Sequence, residues 1–377
     1  MTRRWAAAAA VVAVGLLAAC SEEEPAVEPQ PVPLEGRAPV STSVEEGSLP
    51  LALSGQPVLD PGWSQVPQEL DGVLLGLVHP QDSEPLRFVA AGEDGTLLWQ
   101  AQRPPSCTGF TLTRAEGRPV AVLTDVAPGT EQLTETTASA YDLRTGNLLW
   151  GPQPVPGPHQ GPGLVFAAPA PGAAMGETGP RVALDPATGE EVALEEGAVV
   201  VGEYAGVVLT AGDGVLSASG PETAWQAGLD ELGLGASPVA LPGVAAPAGT
   251  ALLGDPGQGG VLLDLASGEV LAHGVGDAVR EPLSGTLVTL EGDRVVGYPQ
   301  GGARWERPAP GARLSAAGNV FAYLRTDTAV QALNVVTGEV AVAYDEATTS
   351  PAVPVLVTGR GATVVEGADL ALVPTSD

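Results

Sequence analysis

His79, His159 and His273 are the only imidazoles in the chain. A zinc or other transition-metal centre needs several such ligands at short, convergent spacing, as in His-Glu-x-x-His, and these three lie far apart. Each is therefore read as a loop or strand residue. The carboxylate pairs Glu190-Glu191 and Glu195-Glu196 have the types needed for acid–base work or for Ca²⁺. Both flank predicted turns, where charges are solvated. Gly254-Asp255-Pro256-Gly257-Gln258-Gly259-Gly260 offers one carboxylate, too few for Ca²⁺. Gly233-Leu234-Gly235-Ala236-Ser237-Pro238 opens like a dinucleotide fingerprint but ends in proline and lacks a strand–turn–helix setting. No Gly-x-Ser-x-Gly elbow occurs, and all 16 basic residues are Arg, so the Lys of a phosphate-cradling loop is missing. These residues assign no catalytic group, no cofactor and no metal ligand.

One cysteine does have a reaction written around it. Arg3 and Arg4 precede an apolar stretch over residues 6–19, which ends Leu17-Ala18-Ala19-Cys20. A charged start followed by an apolar run too short to span a bilayer comfortably reads as an export signal. The last four residues resemble the bacterial lipobox, in which small side chains fit the signal peptidase and the thiol accepts a diacylglycerol before cleavage. Residues 1–19 are then a signal peptide and Cys20 the acylated N-terminus, anchoring the protein to the extracytoplasmic face of the cell membrane through its acyl chains. Thr2-Arg3-Arg4-Trp5 loosely resembles a twin-arginine signal without its usual continuation, so the export route stays open.

Residues 20–46 carry Glu22-Glu23-Glu24-Pro25, Pro29, Pro31 and Pro33 without hydrophobic periodicity. They are expected to form a disordered, extended tether, reaching up to about 75 Å if fully stretched at ~3.1 Å per residue. The second and last cysteine, Cys107, lies in Pro104-Pro105-Ser106-Cys107-Thr108-Gly109. With Cys20 acylated it has no partner for an internal disulfide. It is read as a half-buried loop thiol without function, redox activity or pairing with another chain being the alternative.

The elements that follow must come from short strands. With 50 Gly and 36 Pro in 377 residues, and no helical period sustained over three turns, residues 47–377 read as one all-β domain. Internal similarity decides its architecture. Ala140-Tyr141-Asp142-Leu143-Arg144-Thr145-Gly146-Asn147-Leu148-Leu149-Trp150 returns around Asp185 and Gly189, around Asp264 and Gly268, and around Asn334 and Gly338. In each copy a strand ends, Asp or Asn closes an Asx turn, Gly takes a positive φ, and the next strand starts. Other copies keep the Trp instead: Gly95 to Trp99, Pro221 to Trp225 and Gly301 to Trp305 repeat the offset from Gly146 to Trp150. The seven turns recur on average about every 40 residues, the size of a four-stranded propeller blade. A β-propeller of seven or eight four-stranded blades is expected, eight favoured. An N-terminal strand near Leu51-Ala52-Leu53 or Trp63 would complete the last blade.

The unit Ala-x-Asp-x-x-Thr-Gly-x-x-x-Trp resembles the tryptophan-docking repeat of the PQQ-like, or quinoprotein-type, β-propellers, over most of the chain after residue 60. That resemblance implies that Trp99, Trp150, Trp225 and Trp305 pack between neighbouring blades, with Ala and Gly making room. Ala193, Ala272 and Val342 stand where three of the Asp or Asn copies would have Trp, so looser or replaced contacts are expected there. Trp63 is either a surface anchor or part of the closing blade. Enzymes of the family hold PQQ with Ca²⁺ and a catalytic Asp, but the insertions that build their pocket have no counterpart here.

A formal net charge of −29 repels phosphate backbones, so nucleic-acid binding is not expected. Lys-free composition with abundant Ala, Gly, Pro and Val reads as the coding bias of a high-GC, actinobacterium-like genome. The expected function is a lipid-anchored, non-catalytic, monomeric scaffold that binds an envelope protein or a small ligand on a propeller face. The alternatives are a small PQQ/Ca²⁺ dehydrogenase and an envelope-assembly lipoprotein resembling the barrel-assembly propeller subunit.

Overall fold

The run Val73–Val78 is buried at every position, as are Thr250–Gly254 and Leu370–Val373. A strand that is apolar on both faces needs cover on both faces. The fold supplies it by setting small antiparallel sheets face to face around a ring. A computed structural model describes residues 30–79, 85–127, 135–169, 178–241, 246–254, 259–326 and 329–374. The expected signal peptide, Cys20 and the first part of the expected tether lie outside the described residues.

In chain order, the first sheet comprises Gln68–Leu70, Val73–Val78, Leu86–Gly92 and Leu97–Arg103, with Val32–Pro33 added at its outer edge. The second holds Phe110–Ala115, Arg118–Ala127, Glu135–Asp142 and Leu148–Pro154, and the third Val165–Pro169 and Thr178–Ala183. The fourth runs from Val199–Tyr204 to Ala224–Gly228 in four strands. The fifth has seven strands, from Val239–Ala240 to Trp305–Pro308; the sixth has four, from Arg313–Gly318 to Val340–Ala341; the seventh has three, Val353–Val357, Thr363–Glu366 and Leu370–Val373. The helix Leu229–Leu232 is one turn long, and among the described residues no helix is long and apolar enough to cross a membrane.

The fold is all-β and propeller-like, but its blade count differs from expectation. Five sheets have four or more strands, not the seven or eight four-stranded blades that turn spacing suggested. Three local events account for the difference. The long strand Val270–Arg280 pairs with Gly260–Asp264 through its first half and, past a register shift at Val275/Asp277, with Leu287–Glu291 through its second. Two turn-marked units thereby fuse into one sheet. After the Asp185 turn the chain makes only the isolated bridge Leu184–Glu191, so the third sheet keeps two strands. The seventh stops at three.

The ring closes at Leu59. This residue exchanges two backbone hydrogen bonds of 2.8 Å with Leu372 of the seventh sheet, and with Trp63 it joins Leu74 and Val89 of the first sheet and Val364 and Leu372 of the seventh in one apolar cluster. Leu51–Leu53 is a 3-10 turn rather than a closing strand; Leu53 packs against Ala352, Val365 and Ala371. The expected tether over 20–46 also needs correction. From Val32 onward it belongs to the fold: Val32 and Pro33 pair with Gln100 and Trp99, and Arg37 and Val40 bridge Thr96 and Leu59. The proline-rich sequence forms an edge strand, which is where proline fits a sheet.

Candidate functional site

The repeat residues form one recurring hydrogen-bonded unit. Asp142 Oδ1 accepts the backbone N–H groups of Arg144 (3.2 Å) and Thr145 (2.9 Å) and the Thr145 hydroxyl (2.8 Å). Asp185, Asp264 and Asn334 accept the equivalent amides, from Ala187 and Thr188, Ala266 and Ser267, and Val336 and Thr337, at 2.7–3.1 Å. The turn glycines Gly146, Gly189, Gly268 and Gly338 take φ of 71°, 74°, 74° and 70°, a conformation that suits glycine.

Each Trp works on the turn of the following unit, not on its own. Trp99 Nε1 donates to the Leu143 carbonyl (2.8 Å), Trp150 to Pro186 (2.9 Å), Trp225 to Leu265 (2.8 Å) and Trp305 to Val335 (2.8 Å). In every case the acceptor follows the Asp or Asn of the turn. A Cβ placed on Gly146, Gly189, Gly268 or Gly338 would come within 2.5–3.0 Å of the corresponding indole. Sequence spacing tied each Trp to the hairpin four residues before it; the structure ties it to a turn some thirty to forty-four residues ahead. This also explains the partial copies. Trp occurs in those units whose successor has the Asp/Asn turn, and Asp185, Asp264 and Asn334 need no Trp of their own.

Trp63 is buried, donates Nε1 to the Val89 carbonyl at 3.1 Å and covers Gly76. It belongs to the closure and is not a surface anchor. No family model and no curated protein matches this chain.

The remaining candidates do not converge. His79 is exposed beside Gln65 (3.1 Å), His273 is exposed, and His159 is enclosed, hydrogen-bonded to the Gly163 carbonyl (2.7 Å) and edge-on to Phe166. Burial holds the His159 imidazole below its usual pKa, against the Gly163 contact. Gly233 is the left-handed C-cap of the one-turn helix. Residues 255–258 of the glycine-rich loop lie outside the described residues. Among the described residues no three His, Cys, Asp or Glu side chains come together in a metal-binding group. Trp99, Trp150, Trp225 and Trp305 are each engaged in a hydrogen bond to the following unit, so among the described residues these indoles and side chains do not fit PQQ with Ca²⁺.

Two buried polar clusters had no sequence signal. Glu203 of the fourth sheet, 1% exposed, accepts the Thr113 hydroxyl of the second sheet (2.6 Å) and the amides of Leu164 (2.9 Å) and Gly206, linking three sheets. Burial raises its carboxyl pKa and these three donors oppose the shift. Arg103, 1% exposed, pairs with Asp125 (3.3 Å) and donates to the Tyr141 hydroxyl (2.9 Å). Cys107 completes this cluster, its Sγ 3.9 Å from Asp125. The thiol is 4% exposed rather than half-buried, and burial, with Asp125 adding to it, raises its pKa.

A concavity lies between the segment 192–198 and the last three strands of the fourth sheet, with Trp225 in its wall. Its volume is about 690 Å³, and Ala193, Val208, Ser217, Ser219, Glu195 and Asp213 are among its lining residues. Ala193 occupies the Trp offset from Gly189.

Proposed function

We propose that this protein is a lipid-anchored, non-catalytic binding scaffold on the extracytoplasmic face of a cell membrane. The observation that supports the reading is the consumption of its distinctive side chains by architecture. The repeat Asp, Gly and Trp residues hold neighbouring units together, while an open groove with an acidic rim remains beside the fourth sheet. A site of 300–1,000 Å³ suits a ligand or an inserted side chain, and a surface of this charge favours a basic partner. Cys20 supplies the anchor, and the part of the tether before Val32 the reach.

The test is in vivo cross-linking of the tagged protein followed by mass spectrometry, with Cys20→Ser as the unanchored control. A recurrent envelope partner, lost with Cys20→Ser together with membrane fractionation, is the expected result. No specific partner, or unchanged membrane fractionation of Cys20→Ser, would overturn the corresponding half of the reading.

A further inference from the structure

We infer that the rim where the first and second sheets meet, bearing Val32, Leu148 and Leu149, rests on the surface of the lipid bilayer that holds the anchor. The inference rests on the lipid-anchor half of the reading above and adds the lipid surface as a second point of contact.

The chain's reach is short. Gln30 stands ten residues after Cys20, a span of at most about 36 Å even when fully extended. The strap that follows is bound along the first sheet. Leu34 N–H donates to the Leu98 carbonyl, Leu97 N–H to Gly36 and Ala38 N–H to Gly95, each at 2.9 Å, and Val32 and Pro33 pair with Gln100 and Trp99. Pro31 also touches the second sheet: a Cβ on Gly146 would lie 3.0 Å from its own Cβ. The anchor therefore pulls on one fixed place, the outer edge between these two sheets.

That place presents apolar side chains. Leu148 and Leu149 open the strand after Gly146 and are 44% and 38% exposed, and Val32, next to Pro31, is 57% exposed. Its charge also sets it apart from the other repeat turns. Directly after the turn glycine the other three copies carry Glu190, Glu269 and Glu339, whereas this one carries Asn147. Two residues after the Asp or Asn they have Ala187, Ala266 and Val336, whereas this one has Arg144, which is exposed. Glu35 and Arg37 of the strap, both exposed, offset each other. In a chain of formal net charge −29, the turn beside the tether is thus the one that lacks the carboxylate and has an Arg. Such a surface can set apolar side chains among lipid headgroups without the repulsion that the rest of the molecule would meet.

Three partly exposed side chains offer too little area to hold a free protein on a bilayer, at ~25 cal/mol per Å². A short tether changes the balance, because it keeps the rim at an effective concentration on the order of millimolar and so populates a weak contact. The contact should form in the acylated protein and vanish without Cys20.

The test uses the full-length protein, expressed with its own signal and reconstituted in vesicles of phosphatidylcholine and phosphatidylglycerol. An NBD fluorophore is attached at Asn147→Cys or at Glu339→Cys, the equivalent turn position of the sixth sheet, both exposed and both with Cys107→Ser. Doxyl-labelled lipid should quench the probe at position 147 at least about twofold more than at position 339. Adding Leu148→Asp/Leu149→Asp, at exposed side chains, should make the two equal, and the Cys20→Ser protein should show no quenching at either. Equal quenching at 147 and 339 in protein that co-floats with the vesicles would overturn the rim contact and leave the anchor standing. Failure of the protein with intact Cys20 to co-float would overturn the anchor, and the inference with it.

Discussion

Trp150 and Gly189 meet across the junction of the second and third sheets: a Cβ on Gly189 would lie 2.5 Å from the indole, whose Nε1 is 2.9 Å from the Pro186 carbonyl. The ring thus has a hydrogen bond at one edge and backbone under its face. Trp150→Phe should keep most of the packing and lose the hydrogen bond, costing about 1 kcal/mol. Trp150→Ala should cost about 3–5 kcal/mol. Urea unfolding of the Cys20→Ser protein measures both, and equal costs would contradict the docking geometry.

Cys107 should be a slow thiol. It is 4% exposed and its pKa is raised by burial, so thiolate and access are both scarce. In the Cys20→Ser protein it is the only cysteine, and an aromatic disulfide reagent at pH 7.5 should label it far more slowly in the native protein than in urea. Complete native labelling within seconds would refute this.

Stability should rise on mild acidification. Asp277 accepts the amides of Ala278 (2.9 Å) and Leu314 (3.0 Å), yet burial pushes its carboxyl from 3.8 up to about 6. Burial also raises Glu203 and Glu69. Between about pH 4 and 6 the folded form binds a proton at Asp277 that the unfolded form releases, so stability falls as pH rises through this window. Asp71, lowered chiefly by its hydrogen bond to Arg114, loses its contribution only below the ordinary carboxylate range. The Tm at pH 5 should exceed that at pH 7.5 by on the order of a few degrees, and Asp277→Asn should reduce the difference. A Tm that falls steadily from pH 7.5 to 5 would contradict it.

What the sequence revealed follows from the range of each interaction. The Asx turns at Asp142, Asp185, Asp264 and Asn334 close within five residues, so their chemistry was readable from the motif, as were the offsets of Trp99, Trp225 and Trp305. The partner of each Trp was not, because it lies in the next unit and spacing displays only the ring's own hairpin. The strand count failed for a related reason: whether Val270–Arg280 serves one sheet or two depends on the register shift at Val275/Asp277, which no residue type announces. Ala193 was visible as a missing Trp, but only the packing shows that Trp225 lines the space beside it, as Tyr298 packs near Ala272. Glu203, in Val-Gly-Glu-Tyr, reads as a surface charge until Thr113 and Leu164 arrive from two other sheets.

The most direct measurement is a pair of double-mutant cycles on Trp305. Gly338, in the following unit, would place a Cβ 2.5 Å from that indole, whereas Gly301, in the Trp's own turn, meets nothing within 4 Å. Both glycines have positive φ, 70° and 72°, so Gly→Ala carries the same backbone strain at either site, roughly 1–2 kcal/mol. With Trp305→Ala as the partner change, Gly338→Ala should show a coupling on the order of 1–3 kcal/mol, because removing the indole makes room for the methyl. Gly301→Ala should be additive within about 0.5 kcal/mol. Coupling at Gly301 and none at Gly338 would contradict the docking of each Trp on its successor's turn.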